Sequence, residues 1–420
     1  MIPIFRAYPR HSVDISAREY FNIFSNLCTY GLAGRGKVIG LENSFAEYIR
    51  VPQAVAIPSA RLGLYLTLRY YNFPLGTEVI MTPFTHWSIF TVIKACGLKP
   101  VFVDIDKDTY NTEPDAVKAR ITLKTRLIIL THMWGQPCKM DDFISIKKEC
   151  GIKIIEDCAM ATGASYNGRR VGSFGDASIF SFGKAKAINA FGGGMLCTLD
   201  PEMARFAREE TASFSDEAKL SLGVTIASSI AANILTRPGV FFFSFYPLMR
   251  ILNLRDPYNP IEHKKDVNMN DGVPQGWKVK LANIQALIGL NQLKDLDKRN
   301  TVRINNANML NDLLQTVSGV RVPRCQDITK HIYLYYSLYI NKQIDLNVIR
   351  KFLINDRVDS QLSELTGAKE LAVFGENPDN YPIFKDVSSR LLIIPNGIYL
   401  NKEDVYFIAS RIKKVLEKLD

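Results

Sequence analysis

The sequence lacks the cysteine spacings of a zinc site or of a disulfide framework. No two of its cysteines form a CxxC pair, and their number is odd. They are Cys28, Cys96, Cys138, Cys150, Cys158, Cys197 and Cys325. We therefore expect reduced, mostly buried thiols in a cytoplasmic protein.

Long apolar runs are also absent. Residues 1–14 contain no apolar segment of signal-peptide length, so we expect no export. The most apolar stretches, 222–235 and 239–249, are separated by Pro238. Each is shorter than the ~20 residues that span a bilayer. We expect a helical insertion at about 220–260 that is buried or lies at a subunit interface. The alternative is that residues 222–250 contact a membrane surface, and a true transmembrane span is the least favoured of the three.

A third absence is a dense basic run interleaved with aromatic residues. The net charge is +10, but the lysines and arginines are scattered. This pattern favours an anionic small substrate or an acidic membrane surface, and we expect no nucleic-acid partner. The chain has 420 residues, 47% hydrophobic and 22% charged, an ordinary globular composition long enough for two or three domains.

Short apolar runs alternate with amphipathic patterns in the first half of the chain. This alternation predicts an α/β fold, with a parallel sheet covered by helices on both faces. The predicted strands are 79–81, 100–103, 127–130, 153–155, 180–182 and 194–199, and the predicted helices are 62–71, 88–96 and 140–150. Ligands of such sheets bind at the carboxyl ends of the strands, where we look for candidate site residues.

The second half begins with a helical pattern at 281–314. Its apolar residues recur every three or four positions: Leu281, Ile284, Leu287, Ile288, Leu293 and Leu296. A strand-like run at 332–340 and a closing helix at 402–419 follow. We predict a large α/β domain at 1–265 and a smaller C-terminal α+β domain at 266–420.

Two segments that follow strand-like runs carry candidate ligand-binding residues. Ser59, Ala60 and Arg61 lie at the start of a helix, where free N–H groups, a hydroxyl and a guanidinium suit a phosphate. A serine in this position is commonly a plain helix cap. His86 and Trp87 follow the strand 79–81, where an aromatic ring either stacks on a flat cofactor or packs within the loop.

Two further segments carry the candidate catalytic residues. Glu156 and Asp157 end an apolar strand, where a carboxylate can keep a pyridine nitrogen protonated or, alternatively, bind magnesium. No phosphate-binding P-loop accompanies them, which favours the first use. Lys186 lies in a Gly/Ala-rich loop whose small neighbours permit close approach of a cofactor to a Schiff-base lysine. In isolation, a loop lysine is usually solvated surface.

Together these segments resemble the DegT/DnrJ/EryC1/StrS family of sugar aminotransferases. These are pyridoxal 5′-phosphate (PLP) enzymes of fold type I, the aspartate-aminotransferase type. The likeness covers nearly the whole chain and is carried by TPFTHWSIF at 82–90, IIEDCAMATGASYNGRR at 154–170, SFGDASIFSFGKAK at 173–186 and IQALIGLNQLKDLDKR at 284–299. It implies a large domain with a mostly parallel seven-stranded sheet sandwiched by helices.

The resemblance also implies roles for individual residues. Lys186 takes the position of the Schiff-base lysine, and Lys184 stands two residues too early. Asp157 takes the position of the carboxylate that partners the pyridine nitrogen. His86 falls at the ring-stacking position, and Ser181 matches a serine that binds the cofactor phosphate.

Three positions depart from the family pattern. Ala60-Arg61 replaces a Gly-Thr phosphate loop, so a charged contact could replace a hydroxyl contact. Met160 replaces a glutamine or histidine and cannot donate a hydrogen bond to the cofactor. Lys278 and Lys280 replace an asparagine and an arginine that reach from a neighbouring subunit; Lys278 could still meet the phosphate as a point charge.

The implied function is transfer of an amino group, usually from glutamate, to a nucleotide-linked keto-sugar. The implied setting is a homodimer in bacterial surface-glycan or amino-sugar biosynthesis. Two alternatives are considered. A PLP-dependent sugar dehydratase of the same family carries histidine in place of the lysine, which Lys186 opposes. A catalytically inactive PLP-binding or membrane-associated scaffold is supported by Met160 and the apolar insertion.

Overall fold

The computed structural model describes residues 5–11, 15, 19–22, 25, 36–216, 219–252, 274, 277–341, 343–363, 365 and 367–419. The predicted domain boundary at 265/266 lies outside these residues, so a division at that point stays a prediction. The six cysteines among the described residues, a set without Cys28, are free thiols.

A seven-stranded sheet forms the centre of the first half. The strands of this half are β1 Gln53–Ile57, β2 Glu78–Met81, β3 Lys99–Phe102, β4 Thr125–Thr131, β5 Lys153–Asp157, β6 Ser165–Tyr166, β7 Arg169–Arg170, β8 Ala177–Ser181 and β9 Gly194–Thr198. The large sheet has the order β1-β9-β8-β5-β4-β2-β3. Six of its strands run in one direction and β9 runs against them. The predicted mostly parallel sheet is therefore confirmed.

Helices cover both faces of this sheet. They are α1 Gly36–Ile49, α2 Ala60–Tyr71, α3 Ser88–Ala95, α4 Pro114–Lys118, α5 Met140–Cys150 and α6 Pro201–Ala212. Neighbouring residues of a strand enter different cores: Ile155 packs with Ile129 and α2, whereas Ile154 packs with Ile128 and α5. Burial on both faces explains why these strands read as continuous apolar runs.

The second half contains longer helices and a separate antiparallel sheet. Its elements are α7 Lys219–Leu235, α8 Pro238–Phe243, α9 Phe245–Leu252, α10 Asn283–Leu314, β10 Val320–Arg321, β11 Thr329–Lys330, β12 Tyr336–Ile340, α11 Leu346–Asn355, β13 Gln361–Leu362, α12 Ala368–Val373, α13 Pro382–Arg390, β14 Leu391–Ile394 and α14 Lys402–Lys418. The four-stranded sheet has the order β10-β12-β14-β13. This mixture fits the α+β character predicted for the C-terminal part.

The predicted strand at 332–340 begins only at Tyr336. The backbone N–H groups of Ile332 and Leu334 donate to the carbonyls of Gly135 and Trp134 instead of joining the small sheet. These bonds tie the segment to the loop after β4 of the large sheet. Long-range backbone bonds of this kind override the local apolar pattern.

The apolar insertion is helical, as predicted. Pro238 separates α7 from α8 and occupies the first turn of α8, where its missing N–H costs nothing. Among the described helices, none combines the length and the apolar character that crossing a membrane requires.

Candidate active site

Three chain segments meet at the carboxyl edge of the large sheet. Asp157, the last residue of β5, pairs with Ile179 of β8, and Ser181 ends β8 opposite Gly194. A Cβ on Gly194 would lie 2.3 Å from the carbonyl oxygen of Phe180 and 3.1 Å from the backbone nitrogen of Ala60. Only glycine permits this close approach, which seats the N-terminus of α2 beside Ser181.

The segment that begins α2 has a cap and a charged side chain. Ser59 Oγ accepts a hydrogen bond from the backbone N–H of Leu62 at 3.3 Å, so Ser59 is the N-cap of α2. The guanidinium carbon of Arg61 lies 4.9 Å from the centre of the Trp277 ring. The next residue, Lys278, accepts a hydrogen bond through its carbonyl from the Ser215 backbone N–H at 3.1 Å. No contact of its side chain with the start of α2 is seen among the described residues, so its phosphate role stays a prediction.

Glu156 and Asp157 have separate roles because consecutive strand residues point to opposite faces. The Glu156 carboxylate accepts four hydrogen bonds: three from the backbone N–H groups of Gly172, Phe174 and Gly175, each at 2.7 Å, and one from His132 Nε2 at 3.0 Å. His132 Nδ1 accepts from the backbone N–H of Cys138, which leaves the proton on Nε2. Both oxygens of Glu156 are thus occupied in holding the loop at 172–175.

This saturation argues against the magnesium alternative. His132, Glu156 and Cys158 lie within ligand distance of one another and are all buried. A metal there would have to displace hydrogen bonds that already satisfy Glu156 and both nitrogens of His132. Burial raises the pKa of Glu156, but the bonds from His132, Gly172 and Gly175 outweigh it and lower that pKa below its ordinary value. Glu156 is therefore an ionised structural residue.

Asp157 is buried with far fewer donors. It is 4% exposed, and its Oδ1 accepts one hydrogen bond from the backbone N–H of Ala159 at 3.0 Å. Burial raises the pKa of Asp157, while the Ala159 N–H and the positive charge of Lys186 partly offset this rise. Lys186 lies in the loop that follows β8, and β8 pairs with Asp157 at the end of β5, so the two predicted catalytic residues belong to neighbouring strand ends at this edge of the sheet.

Lys186 lies in a tightly held loop between β8 and β9. The Asn189 backbone N–H donates to Gln292 Oε1 of α10 at 2.8 Å, and Gln292 Nε2 donates to the Asn189 carbonyl at 3.0 Å. Ala185 has a φ of 60°, a left-handed conformation that a non-glycine residue adopts only when its surroundings impose it. Lys186 is half-buried, whereas Lys184 is exposed. The loop therefore presents Lys186 inward and Lys184 to solvent.

A cavity opens on the Lys186 side of this loop. Its lining comes from the N-terminal segment, α10 and the C-terminal part of the chain: Arg10, His11, Ala185, Lys186, Asn189, Arg299, Arg303, Leu334, Tyr335, Ile394, Asn396, Gly397 and Tyr399. Arginine, lysine and histidine are represented in this described lining and no carboxylate is, which makes the cavity cationic. The Arg10 guanidinium donates two hydrogen bonds to the Asp359 carboxylate, at 2.8 and 2.9 Å, so Asp359 balances the charge of Arg10.

Asn396 places an acceptor in this cavity. Its side-chain Nδ2 donates to the carbonyl of Tyr333 at 3.0 Å, which fixes the orientation of the amide. Asn396 is 5% exposed, and its Oδ1 accepts no hydrogen bond from any described residue. A buried acceptor without a donor costs stability, so it points to a ligand that supplies one.

Apart from Lys186, the residues that line this cavity were not predicted, although the sequence of α10 contained a pattern that could have indicated them. Its buried residues recur at three- and four-residue spacing: Leu293, Leu296, Asn300, Arg303, Ala307, Leu310 and Leu314. Asn300 and Arg303 interrupt this apolar series at two successive turns. Asn300 bonds the carbonyl of Thr162 at 3.1 Å and accepts from Arg303 Nη1 at 3.0 Å. A polar pair within a buried stripe indicates a functional surface.

The remaining predicted residues are placed as follows. His86 is exposed, with Nδ1 2.8 Å from Ser88 Oγ at the start of α3. Its neighbour Thr85 lies 3.5 Å from Thr131, the residue that pairs with Asp157, so the loop shares the same edge of the sheet. Met160 is buried in the core beside the strands. No bound ring is present to test the contacts assigned to His86 and Met160, so these stay predictions.

The mostly parallel sheet, with Asp157 and the Lys186 loop at its carboxyl edge, has the architecture of α/β enzymes that bind their ligands at strand ends. The sequence model described as the DegT/DnrJ/EryC1/StrS aminotransferase family matches residues 31–223 and 248–413. The chain belongs to this family, and the predicted family, fold class and sugar-aminotransferase class are confirmed.

Individual relatives agree with this assignment. The spore coat polysaccharide biosynthesis protein SpsC of Bacillus subtilis is 26% identical over 420 residues, covering 98% of this chain and 97% of its own. The dTDP-3-amino-3,6-dideoxy-alpha-D-galactopyranose transaminase of Aneurinibacillus thermoaerophilus is 39% identical over 170 residues, 40% of this chain and 47% of its own. The fold matches Helicobacter pylori PseC, an aminotransferase involved in the biosynthesis of pseudoaminic acid, with a TM-score of 0.77, 18% identity and coverage of 98% and 100%.

Proposed function

We propose that Lys186 holds pyridoxal 5′-phosphate covalently and that the enzyme moves an amino group from an amino-acid donor, glutamate first, to a nucleotide-linked keto-sugar. The observation that carries the proposal is the position of the Lys186 loop after β8, the strand that neighbours the buried Asp157 at the carboxyl edge of the sheet. The family assignment supports it. The relatives named above suggest a role in surface-glycan or amino-sugar biosynthesis.

The residues present fit this cofactor. Asp157 is a buried carboxyl that has only one described hydrogen-bond donor and therefore suits a protonated ring nitrogen. Ser181 and the start of α2 are neighbours across Gly194, and the hydroxyl together with the N-terminal N–H groups of the helix suits a phosphate. Lys278 is proposed to add a positive charge to this phosphate site. The cofactor, when bound, supplies the electron sink that stabilises negative charge on the substrate carbon.

Each protein group then has a defined task. The Asp157 carboxylate holds a proton on the ring nitrogen. Lys186 Nζ would be the group that holds the cofactor, and the same amine would carry the proton to and from the reacting substrate carbon. Lys186 also opposes the dehydratase alternative, in which histidine occupies this position. The His86 ring is proposed to cover the cofactor face, and Met160 fills the space of a polar contact.

The cationic cavity beside Lys186 is proposed to bind the substrates. Arg299 and Arg303 line it, and their guanidinium groups suit carboxylates and phosphates, the anionic groups of an amino-acid donor and a nucleotide-linked sugar. Asn396 Oδ1 suits a sugar hydroxyl as its hydrogen-bond donor. The enzyme is proposed to act as a homodimer in the cytoplasm.

Absorption spectroscopy of the purified protein tests the reaction class. The cofactor-loaded enzyme is expected to show a visible band that disappears when glutamate is added and returns with a keto-sugar acceptor. Reverse assays against a panel of nucleotide-linked amino sugars then identify the acceptor. A band that glutamate and every amino sugar leave unchanged would contradict amino transfer and favour a scaffold. Loss of a sugar hydroxyl without consumption of the donor would favour a dehydratase.

Replacing Asn396 with alanine is expected to weaken sugar binding. Loss of one hydrogen bond to the substrate should raise KM for the sugar about tenfold and leave kcat within about threefold. Asn306→Ala is the matched control, because Asn306 Nδ2 donates to the adjacent Gly397 carbonyl at 3.2 Å but Asn306 does not line the cavity. Steady-state kinetics with both substrates measure the difference. An equal rise in KM in both variants would show that loop support alone explains the effect.

A further inference from the structure

Between its two matched ranges the family model leaves residues 224–247 of the apolar insertion unmatched. This segment contains most of α7 and all of α8, and it continues into α9. Residues 219–252 contain no aspartate or glutamate, whereas Lys219, Arg237 and Arg250 are cationic. The insertion is therefore both apolar and purely basic, in contrast to the mixed charges of the rest of the chain.

One side of α8 and α9 is anchored to the protein. Phe241 and Tyr246 are buried against Ala7. The Ala7 N–H donates to the Pro238 carbonyl at 3.1 Å, and the Tyr246 hydroxyl donates to the Asn355 carbonyl of α11 at 3.3 Å. The two short helices are thus held in a defined orientation, and their opposite side is presented to the outside.

That opposite side carries large apolar side chains, which we call the apolar face. Its members are Phe5, Val240, Phe243, Phe245, Leu248 and Ile251, all of them exposed. Phe243 is 70% exposed and Ile251 is 79% exposed. Phe5 stacks on Phe243 with ring centres 5.9 Å apart, and positions 245, 248 and 251 share one side of α9. Grouped exposure of this kind marks an interaction surface.

We propose that the apolar face docks on a membrane surface that contains anionic lipids. α8 and α9 have six and eight residues, too few to cross a bilayer but suited to lying in its interface. Arg237 is exposed at the N-terminus of α8, three positions before Val240 of the apolar face. A cation beside apolar side chains is the combination that binds anionic headgroups while the apolar side chains enter the acyl boundary. The overall charge of +10 adds to the attraction.

Charge also decides between a membrane and a second copy of the chain. A symmetric contact between two copies would bring identical faces together. Each face is flanked by Arg237, and residues 219–252 offer no carboxylate to pair with it. Like charges would then meet in the contact, which opposes self-association. Anionic headgroups provide the missing negative charge.

Vesicle sedimentation with the full-length, cofactor-loaded protein tests this proposal. The protein is expected to sediment with vesicles of equimolar phosphatidylglycerol and phosphatidylcholine and to stay in solution with phosphatidylcholine alone. Binding should weaken as salt is raised from ~0.1 M to ~1 M, because screening shortens from ~10 Å to ~3 Å. Failure to sediment with the anionic vesicles at low salt would overturn the proposal.

Matched variants separate docking from general stickiness. Combined Phe243→Ser, Leu248→Ser and Ile251→Ser should weaken binding at least about tenfold without changing amino transfer in solution. Leu123→Ser, at a leucine 94% exposed elsewhere, should bind as the unaltered protein does. Arg237→Gln should weaken binding about fivefold, and Arg324→Gln, with a side chain 71% exposed, should not.

Light scattering of the same proteins distinguishes the competing occupant. An unchanged molecular mass in the triple variant, together with lost vesicle binding, supports the membrane. A smaller assembly in the triple variant would show that the face belongs to a contact between copies and would overturn the proposal. Equal loss of binding in Leu123→Ser would do the same, because the effect would not be specific to the apolar face.

Discussion

Lys186→Ala is expected to lower the rate of amino transfer by about 10⁴-fold and to remove the visible absorption band of the lysine-bound cofactor. The variant has no amine at this position to hold the cofactor or to carry the proton between atoms of the bound substrate. Single-turnover kinetics and absorption spectra of the purified variant measure both effects. Persistence of the band in Lys186→Ala would refute the assignment.

Lys184→Ala is the matched control for this experiment. Lys184 lies in the same loop, two residues earlier, and is exposed to solvent. Its replacement should keep the band and leave the rate within about twofold, since solvated surface lysines contribute little. A loss of the band in Lys184→Ala with retention in Lys186→Ala would exchange the roles of the two lysines.

Asp157→Asn is expected to reduce kcat by about 10²- to 10³-fold and to make the cofactor-free protein more stable. A neutral amide cannot hold the proton on the ring nitrogen, so stabilisation of the developing charge is lost. In the cofactor-free protein, burial raises the pKa of Asp157 above its ordinary 3.8. The stability that the protein gains from the protonated Asp157 is fully present below pH 3.8, and it is lost as the pH rises through the raised pKa. At higher pH the buried, ionised carboxylate destabilises the cofactor-free fold, and asparagine removes this destabilising charge.

Thermal unfolding with and without pyridoxal 5′-phosphate checks this prediction. Near neutral pH, the melting temperature of cofactor-free Asp157→Asn should exceed that of the unaltered protein. Addition of cofactor should raise the melting temperature of the unaltered protein more than that of the variant, because Asp157 then gains its partner. A cofactor-free variant that melts at a lower temperature would show that the carboxylate stabilises the fold by itself.

Glu156→Gln provides the contrast one residue earlier. Glutamine would place an amide NH₂ group, which is itself a donor, against backbone N–H donors that the Glu156 carboxylate now accepts from. We therefore expect the free energy of unfolding to fall by about 3 kcal/mol. The remaining folded enzyme should keep the ring-nitrogen partner and therefore most of its kcat. Denaturant unfolding and kinetics per folded molecule distinguish these effects. Equal stability of the two variants would contradict the division of roles between Glu156 and Asp157.

Much of the large sheet was predictable because its signals are local. Strands buried on both faces appear as short apolar runs, and β2, β3, β4 and β5 were each predicted within a few residues of their bounds. The start of β8 was missed because Ala177 and Ser178 have little apolar character. Their pairing with Thr198 and Cys197 of β9 includes them in the sheet. Strand ends of this kind depend on the neighbouring strand, which local patterns do not contain.

The candidate site also contains some residues that local motifs predicted and others whose roles depend on the fold. Lys186 and Asp157 were found because each lies in a contiguous motif at the end of an apolar strand. Glu156 looked like an equivalent carboxylate, and the fold alone assigns it to the loop at 172–175 through four hydrogen bonds. The contact of Arg61 with Trp277 joins segments more than 200 residues apart, so no spacing rule could predict it.

By itself, the sequence determined the family, the mostly parallel sheet and the helical nature of the insertion, since each depends on patterns of residues that are neighbours along the chain. The tertiary structure decided which groups surround them. Arg10, Arg303 and Asn396 reach one cavity from three distant segments, and Phe5 joins the apolar face only because Ala7 is bonded to Pro238. Such convergence requires the folded backbone, because the sequence does not state which distant segments come close together after folding.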